Sequence, residues 1–446
     1  MIRKKIPHIR VGPPGPRGTD WVRRDQEAIS QSYTRAYPLV VERAEGSIIE
    51  DTDGNQYLDF TAGIAVASTG HCHPEVVEAI IRQAKKLIHM SGTDFYYPSE
   101  IRLAEVLTQI TPGNGSKKVF FANSGTEATE AALKLARYHT RRPLFLSFYG
   151  SFHGRSMGAL SLTASKSVHK KGFSPLVPGV THVPYAYCYR CVYGLKPDTC
   201  DFYCVTWIEE ELFRTTVPPE EVAAIFVEPI QGEGGYVVPP PGYLQRLQHL
   251  ARKYGILLVA DEIQTGVGRT GKMFACEYEG VVPEILTLAK GIASGLPLGA
   301  MVAATSVTTW ERGSHANTFG GNPVACEAAL TTLQLVRDGL MENAAVVGTY
   351  LLARLEEMQK THLLMGDVRG RGLMIGVEFV QDRVRRQPAP VQRDRVIQEC
   401  FKRGLLILGC GQSVIRFIPP LVITKDETDT ALDIFQEAVH AAEASG

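Results

Sequence analysis

Apolar residues in the middle of the chain fall into short unbroken runs at 118–122, 144–148, 224–227, 256–260 and 285–289. They do not alternate with polar residues, which marks strands covered on both faces. Between these runs the period changes. Val76, Val77, Ile80, Ile81, Ala84 and Leu87 form one stripe and predict a helix over 74–87, and a second helix is predicted over 126–138. Buried strands alternating with helices indicate an α/β protein with a mostly parallel central sheet and helices on both of its faces.

The two ends read differently. Alternation across 41–60, with Asp53-Gly54 inside it, predicts a β-hairpin. Toward the other end, 373–379 and 414–417 read as strands, and 346–358, 394–403 and 425–442 as helices. The expected organisation is a large domain over 75–335 and a smaller α+β domain made from both termini, 1–74 and 336–446. No internal repeat and no low-complexity linker interrupts it.

The 446 residues suffice for two such cores, and 44% apolar with 21% charged residues is an ordinary globular composition. Lys+Arg and Asp+Glu both number 47. No net charge therefore draws the chain to nucleic acid or an anionic membrane, and an anionic ligand must be held by a few local cations and backbone N–H groups. No apolar run approaches the roughly 20 residues of a membrane span. Residues 1–10 are basic without the apolar centre of a secretory signal. Pro7 and Gly12-Pro13-Pro14-Gly15-Pro16 predict an extended arm packed on the body or on a partner subunit. Nine cysteines without a secretory signal suit a reducing, cytoplasmic setting.

Three segments carry candidate chemistry. In Val119-Phe-Phe-Ala-Asn-Ser124-Gly125-Thr126-Glu-Ala a strand runs directly into a helix, gathering free N–H groups, hydroxyls and a positive helix end at one point. That suits a phosphate, although Ser/Thr before Glu is also an ordinary helix cap. In Ile256-Leu-Leu-Val-Ala-Asp261-Glu-Ile-Gln264 a carboxylate ends a buried strand, where open α/β sheets bind ligands. It could face a pyridine nitrogen, hold a metal ion, or simply end a strand. In Glu284-Ile-Leu-Thr-Leu-Ala-Lys290-Gly a lysine ends an apolar strand. A desolvated lysine has a lowered pKa and can serve as nucleophile and base. A snorkelling surface lysine is the plain alternative. The three follow in that order on strands read as successive and parallel.

Together with Gly70-His-Cys-His-Pro74, Phe152-His153-Gly-Arg155, Glu228-Pro-Ile-Gln-Gly-Glu233-Gly-Gly, Asp261-Glu-Ile-Gln-Thr-Gly-Val-Gly-Arg269 and Thr318-Phe-Gly-Gly-Asn-Pro323, these segments resemble class III aminotransferases, fold-type I pyridoxal-phosphate enzymes. The resemblance runs from about Tyr37 to the last helix. It implies that Lys290 holds the cofactor as a Schiff base and moves the proton, while Asp261 pairs with the ring nitrogen. Gln264 is expected near the ring's phenolic oxygen, Phe152 stacked on the ring, and His153 and Glu228 beside it. Ser124, Gly125 and Thr126 are expected to take the phosphate, joined by Thr318 from the other subunit of a homodimer or larger assembly of dimers.

For the substrate the resemblance implies that Arg155 takes a distal carboxylate and Arg416 an α-carboxylate, each through paired hydrogen bonds. Glu233 is expected to gate Arg416, pairing with it when an ω-amino substrate is bound. Ile64 is expected to face the pocket. Ornithine-specific members place a tyrosine there, so an apolar residue favours 4-aminobutyrate or apolar amino acids. Phe95 and Tyr96 are expected to border the pocket or to be plain packing. The implied activity is transfer of an amino group from 4-aminobutyrate or a similar donor to 2-oxoglutarate. Racemisation of amino acids on the same scaffold is the alternative, since both begin with removal of the α-proton. A non-catalytic scaffold would have lost Lys290, Asp261 and the phosphate cup.

Cys188, Cys191, Cys200 and Cys204 sit in an aromatic-rich insertion over 185–205. Four cysteines at this spacing could ligate zinc or an iron–sulfur cluster, form disulfides, or remain thiols. Cys72, Cys276 and Cys326 read as packing residues.

Overall fold

The structure, a computed structural model, describes residues 6–444. The first three strands are β1 (Val41–Glu45), β2 (Ile48–Asp51) and β3 (Gln56–Asp59). β2 and β3 are the expected hairpin, antiparallel through Ile48↔Leu58 and Ile49↔Tyr57, and Gly54 takes φ +83° in the turn as only glycine does cheaply.

The segment before them is an extended arm packed on the body as far as Gly15, with His8 bridging Gln56 and Arg10 N and Val11 N donating to Asn55 Oδ1, but beyond it the chain is helical. Residues 1–5 lie outside the described residues, and a helix runs over Pro16–Ala28. Pro16 occupies the first turn, where its missing N–H costs nothing. Asp53, in the hairpin turn, accepts hydrogen bonds from Arg17 N at 2.9 Å and Gly18 N at 2.8 Å, satisfying donors that begin the helix.

The central sheet comprises β4 (Lys117–Ala122), β5 (Leu144–Phe148), β6 (Val180–Val183), β7 (Val222–Val227), β8 (Leu257–Asp261), β9 (Ile285–Leu288) and β10 (Gly299–Ala304) in the order β4-β10-β9-β8-β7-β5-β6. The run from β9 to β6 is parallel throughout, and β10 is antiparallel to both its neighbours. This is the parallel-rich α/β sheet expected. Two details depart from the sequence reading. β10 stands between β4 and β9, so the phosphate cup and the lysine are not on adjacent strands. β4 is an edge strand, and its Lys118 is exposed rather than covered. β7, β8 and β9 are buried at every position, as their unbroken apolar runs require.

Five further strands follow: β11 (Met365–Arg371), β12 (Met374–Phe379), β13 (Leu405–Leu406), β14 (Leu408–Cys410) and β15 (Val414–Phe417). β13 pairs in parallel with β3, joining the two ends of the chain in one sheet, while β11, β12, β15 and β14 form a third sheet in that order. The predicted helices extend over Pro74–Ala84, Gly125–Thr140, Met341–Thr361, Pro390–Lys402 and Lys425–Glu443. The Pro74–Ala84 helix buries only Val76 and Ala79, leaving Val77 and Ile81 of the apolar stripe exposed. No helix among the described residues is long and apolar enough to cross a membrane.

A buried side chain that bonds backbone carbonyls and a close approach of backbones hold the third sheet against the centre. Arg269, fully buried, donates from Nη1 to the carbonyls of Leu373 at 3.2 Å and Pro419 at 2.5 Å. Gly372, in the β11–β12 turn with φ +53°, lies so close to Thr270 that a Cβ there would be 2.3 Å from the Thr270 carbonyl carbon. Gly348, inside the Met341–Thr361 helix, in turn abuts Gly372: a Cβ on it would stand 2.1 Å from the Gly372 oxygen. In a free helix Gly→Ala stabilises by about 1 kcal/mol. Here the clash is with backbone fixed on both sides, so Gly348→Ala is expected to destabilise by about 2–4 kcal/mol in urea unfolding. Unchanged or raised stability would show that helix and turn do not meet this closely.

Candidate active site

The carboxyl ends of β5, β7, β8 and β9, with the end of β4, open into one cavity of about 400 Å³, the crevice where open α/β sheets place ligands. Asp261 is the last residue of β8, Glu228 follows β7, and Lys290 follows β9 by two residues. The Ser151–Arg155 loop leaves β5, and Asn123–Thr126 leads from β4 into the Gly125–Thr140 helix. Residues from Asn123 to Lys290, far apart in sequence, therefore line a single space.

Asp261 is 4% exposed. Its Oδ2 lies 2.6 Å from His153 Nδ1, and its Oδ1 accepts from Ile263 N at 3.1 Å. His153 is buried as well; burial alone would lower its pKa, but the hydrogen bond and charge of Asp261 outweigh this and hold the imidazole above its ordinary value. His153 thus meets Asp261 directly, a partnership the sequence motif does not reveal. Lys290 lines the cavity with its backbone in the left-handed region at φ +48°, a costly conformation for a residue with a side chain. Burial pushes its pKa below that of free lysine, against the opposing pull of Asp261 and Glu228. An amine so placed is unprotonated more often near neutral pH than a solvated lysine and is therefore available to take a proton.

The start of the Gly125–Thr140 helix faces the cavity through Asn123, Ser124, Gly125 and Thr126. Ser124 is also an ordinary N-cap, accepting from Glu127 N at 3.4 Å, while Glu127 accepts from Asn123 N at 2.6 Å. Thr126 Oγ1 is 2.6 Å from Ser156 Oγ, which donates to Glu130. A Cβ on Gly125 would lie 2.9 Å from the tip of the Ile263 side chain, which would have to shift to admit it. Phe152 and Ile263 give the cavity apolar surfaces, and Gln264 brings a buried Oε1 with no partner. A helix N-terminus, a buried carboxylate, an orphan amide oxygen and flat apolar walls fit the expected anionic, aromatic cofactor.

At the cavity's other side stand Arg155 and Glu233. Arg155 is exposed, with its guanidinium 5.8 Å from the Phe152 ring centre. Arg416, on β15 opposite Gly376 of β12, is 5% exposed and donates from Nη1 to Glu233 Oε2 at 3.2 Å. Burial would raise the Glu233 pKa, but Arg416 and Lys166 together hold it below the usual carboxylate value. Lys166 reaches Glu233 Oε1 at 2.5 Å.

Other expected residues lie elsewhere. Ile64 is 41% exposed and absent from the cavity wall, in a turn where Ala62, Gly63, Ile64 and Ala65 all have positive φ; Val66 lines the wall instead. Thr318, Phe95 and Tyr96 are exposed and outside the cavity of this chain. Ile263, Leu296 and Leu298 line it and carry no chemical signature by which the sequence could have revealed them. Asn123 and Thr265 line it too, and Lys166 was missed because only the folded chain brings it to Glu233.

Cys188, Cys191, Cys200 and Cys204 are free thiols around a small cavity of about 30 Å³. Zinc–sulfur bonds near 2.3 Å would require the sulfurs to converge to about 4 Å. No three of them lie within 4.8 Å of one another; among the described residues the trio that does converge is His362, His440 and Glu443. These four sulfurs therefore form neither a compact tetrahedral zinc cage nor a disulfide in this structure. Cys276 and Cys326 are buried as expected of packing residues, but Cys72 is exposed.

Glu228 gives the site a pH signature. Its Oε1 accepts from Phe152 N at 2.8 Å and its Oε2 from Gly232 N at 2.7 Å, yet burial pushes its pKa up to about 7 from 4.5. A carboxyl with a raised folded pKa contributes stability that is complete below its unfolded pKa and lost as pH rises through the folded one. Glu228→Gln cannot titrate. Its stability relative to the parent is therefore expected to rise between pH 5 and pH 8, by about 1–3 kcal/mol, read from paired melting curves. A pH-independent difference would place the titration elsewhere.

Comparison with known proteins agrees with this geometry. The family model "Aminotransferase class-III" matches residues 29–439. The alanine/serine racemase of Pyrococcus horikoshii is 40% identical, covering 98% of this chain and 94% of that one. The acetylornithine aminotransferase of Caldanaerobacter subterraneus subsp. tengcongensis is 39% identical over 93% and 98%, and the 4-aminobutyrate aminotransferase of Mycobacterium leprae 38% over 94% and 95%. A pyridoxal-phosphate-bound amine transaminase from an uncultivated Pseudomonas species superposes with a TM-score of 0.85 at 33% identity, over 94% of this chain and 98% of that one. The chain belongs to the pyridoxal-phosphate-dependent class III aminotransferase family.

Proposed function

We propose that the protein transfers an amino group from 4-aminobutyrate or a similar ω-amino donor to 2-oxoglutarate. The observation that carries this reading is the Arg416–Glu233 pair beside a cavity that also contains Lys290 and Arg155. Lys290 and Asp261 would hold pyridoxal phosphate at its aldehyde and ring nitrogen, and Ser124, Gly125 and Thr126 its phosphate. When bound, the cofactor supplies an electron sink for the charge left by proton removal. Lys290 is the base placed to take that proton and return it. Arg155 orients a distal carboxylate. Glu233 neutralises Arg416 for an amino donor with no α-carboxylate and yields it to a 2-oxo acid, so one pocket serves two unlike substrates.

The working unit in this proposal contains a second copy of the chain. Thr93 donates to Asn317 O, Tyr97 to Gly321 O and Asn322 to Ile88 O, drawing two segments into one face. That face exposes Ile88 (65%), Tyr96 (94%) and Phe319 (60%), a clustering that marks a contact surface. Thr318 is presented there rather than to its own cavity.

A second reading, racemisation, is favoured by the match to the alanine/serine racemase across 98% of the chain. It would need a proton donor on the face of the substrate away from Lys290. A three-arm assay of the cofactor-loaded protein tests both: 4-aminobutyrate or N-acetylornithine with 2-oxoglutarate, followed as glutamate, and single L-amino acids without keto acid, followed as D-enantiomers. Glutamate from the first arm is expected; D-products without keto acid would overturn the assignment, and glutamate from N-acetylornithine alone would replace the donor. In the transaminase, Arg416→Ala should raise KM for 2-oxoglutarate by roughly 10–100-fold, the loss of a charged hydrogen-bonded pair. The 4-aminobutyrate half-reaction should be far less affected, and equal losses in both halves would remove Arg416 from carboxylate recognition.

A further inference from the structure

Glu233 is held by two cations through different oxygens: Lys166 Nζ on Oε1 at 2.5 Å and Arg416 Nη1 on Oε2 at 3.2 Å. The cations differ in setting. The Arg416 side chain is 7% exposed, that of Lys166 39%. Lys166 is nonetheless anchored, because Ala164 and the 150–151 turn exchange backbone hydrogen bonds at 3.1 and 2.8 Å just before the loop that carries Phe152 and His153. His169, three residues beyond, packs its ring 5.5 Å from Phe152.

We propose that Lys166 is a positioning residue that retains Glu233 when a substrate α-carboxylate takes Arg416. The proposal rests on the gating role given to Glu233 above. With Arg416 occupied by substrate, Glu233 would face an arriving carboxylate in a half-buried site with no partner, and both like-charge repulsion and desolvation would oppose it. Lys166 removes both penalties. It already holds the oxygen that Arg416 does not use, so opening the pair breaks one ion pair and leaves the other. Lys166 thereby sets the balance between substrates that need Arg416 free and substrates that need it neutralised. An amino donor without an α-carboxylate leaves the Glu233–Arg416 pair closed and makes no demand on Lys166.

The test compares Lys166→Met, Lys166→Arg, Glu233→Gln and the double variant Lys166→Met/Glu233→Gln, all as cofactor-loaded enzyme. Dead-end binding of 2-oxoglutarate to the resting enzyme is followed by absorbance titration, and the 4-aminobutyrate half-reaction by stopped flow. Lys166→Met should weaken 2-oxoglutarate binding by roughly 5–30-fold, as for a partly exposed charged pair. The amine half-reaction should stay within about twofold, and Lys166→Arg should restore binding. Glu233→Gln should act in the opposite sense, binding 2-oxoglutarate as well or better while impairing the amine. In the double variant the effect of losing Lys166 should disappear, since the carboxylate it holds is gone. Equal losses for both ligands in Lys166→Met, or a full Lys166→Met effect in the Glu233→Gln background, would overturn the role of Lys166. If Glu233→Gln changes neither ligand, the gate itself falls, a result distinguishable from failure of Lys166 alone.

Discussion

Burying Asp261 at the end of β8 obliges the protein to supply partners, because a carboxylate removed from water without them would take up a proton. His153 at 2.6 Å and the Ile263 amide are those partners. His153 is fixed in turn, its amide donating to Thr163 Oγ1 and its loop capped by Glu228, which receives Phe152 N and Gly232 N. One buried charge therefore dictates the course of three loops leaving β5, β7 and β8. Lys290 enters the same low-dielectric space and experiences Asp261 and Glu228 without the screening of bulk water.

The second constraint is steric and links this centre to Arg416. The loop that begins at Asp261 ends in Arg269-Thr270-Gly271, where Arg269 binds the carbonyls flanking β12 and β15 and Thr270 touches Gly372. β15 carries Arg416, so the guanidinium that pairs with Glu233 is held beside the cavity by contacts made to backbone carbonyls and to glycine backbone as well as by side-chain packing. Helix Met341–Thr361 closes the stack through Gly348. Glycine at these positions is demanded by close backbone approach, not by flexibility.

What the sequence revealed follows from the range of the interactions involved. β5, β7, β8 and β9 were legible because a strand covered on both faces must be apolar at each position, and the Asp53-Gly54 hairpin because its turn needs glycine. Gly299–Ala304 was missed: Gly-Ala-Met-Val-Ala-Ala is small enough to suit strand or helix, and only its antiparallel seat between β4 and β9 decides. The Pro16–Ala28 helix was missed because the prolines and glycines before it read as extended, while its cap, Asp53, lies 36 residues away from Arg17. At the site, residues with distinctive chemistry at strand ends were found. Lys166 and the apolar lining were not, since their roles come from neighbours distant in sequence.

Ile64 and Thr318 show where reading one chain reaches its limit. Ile64 is expected in the pocket of its own chain and Thr318 in that of the other subunit, and both lie on exposed surface outside the cavity of the chain that carries them. Ile64 sits in four consecutive positive-φ residues, a strained turn held by Asp59, which accepts from Thr61 N at 2.7 Å and Ala62 N at 3.1 Å and faces His71 at 2.7 Å. Strain of this kind persists only where surrounding structure enforces it. With Tyr96 and Phe319 also facing outward, the second copy proposed above would cover both this turn and the exposed apolar surface. The same side chains that look misplaced in one subunit would then complete the pocket of the other.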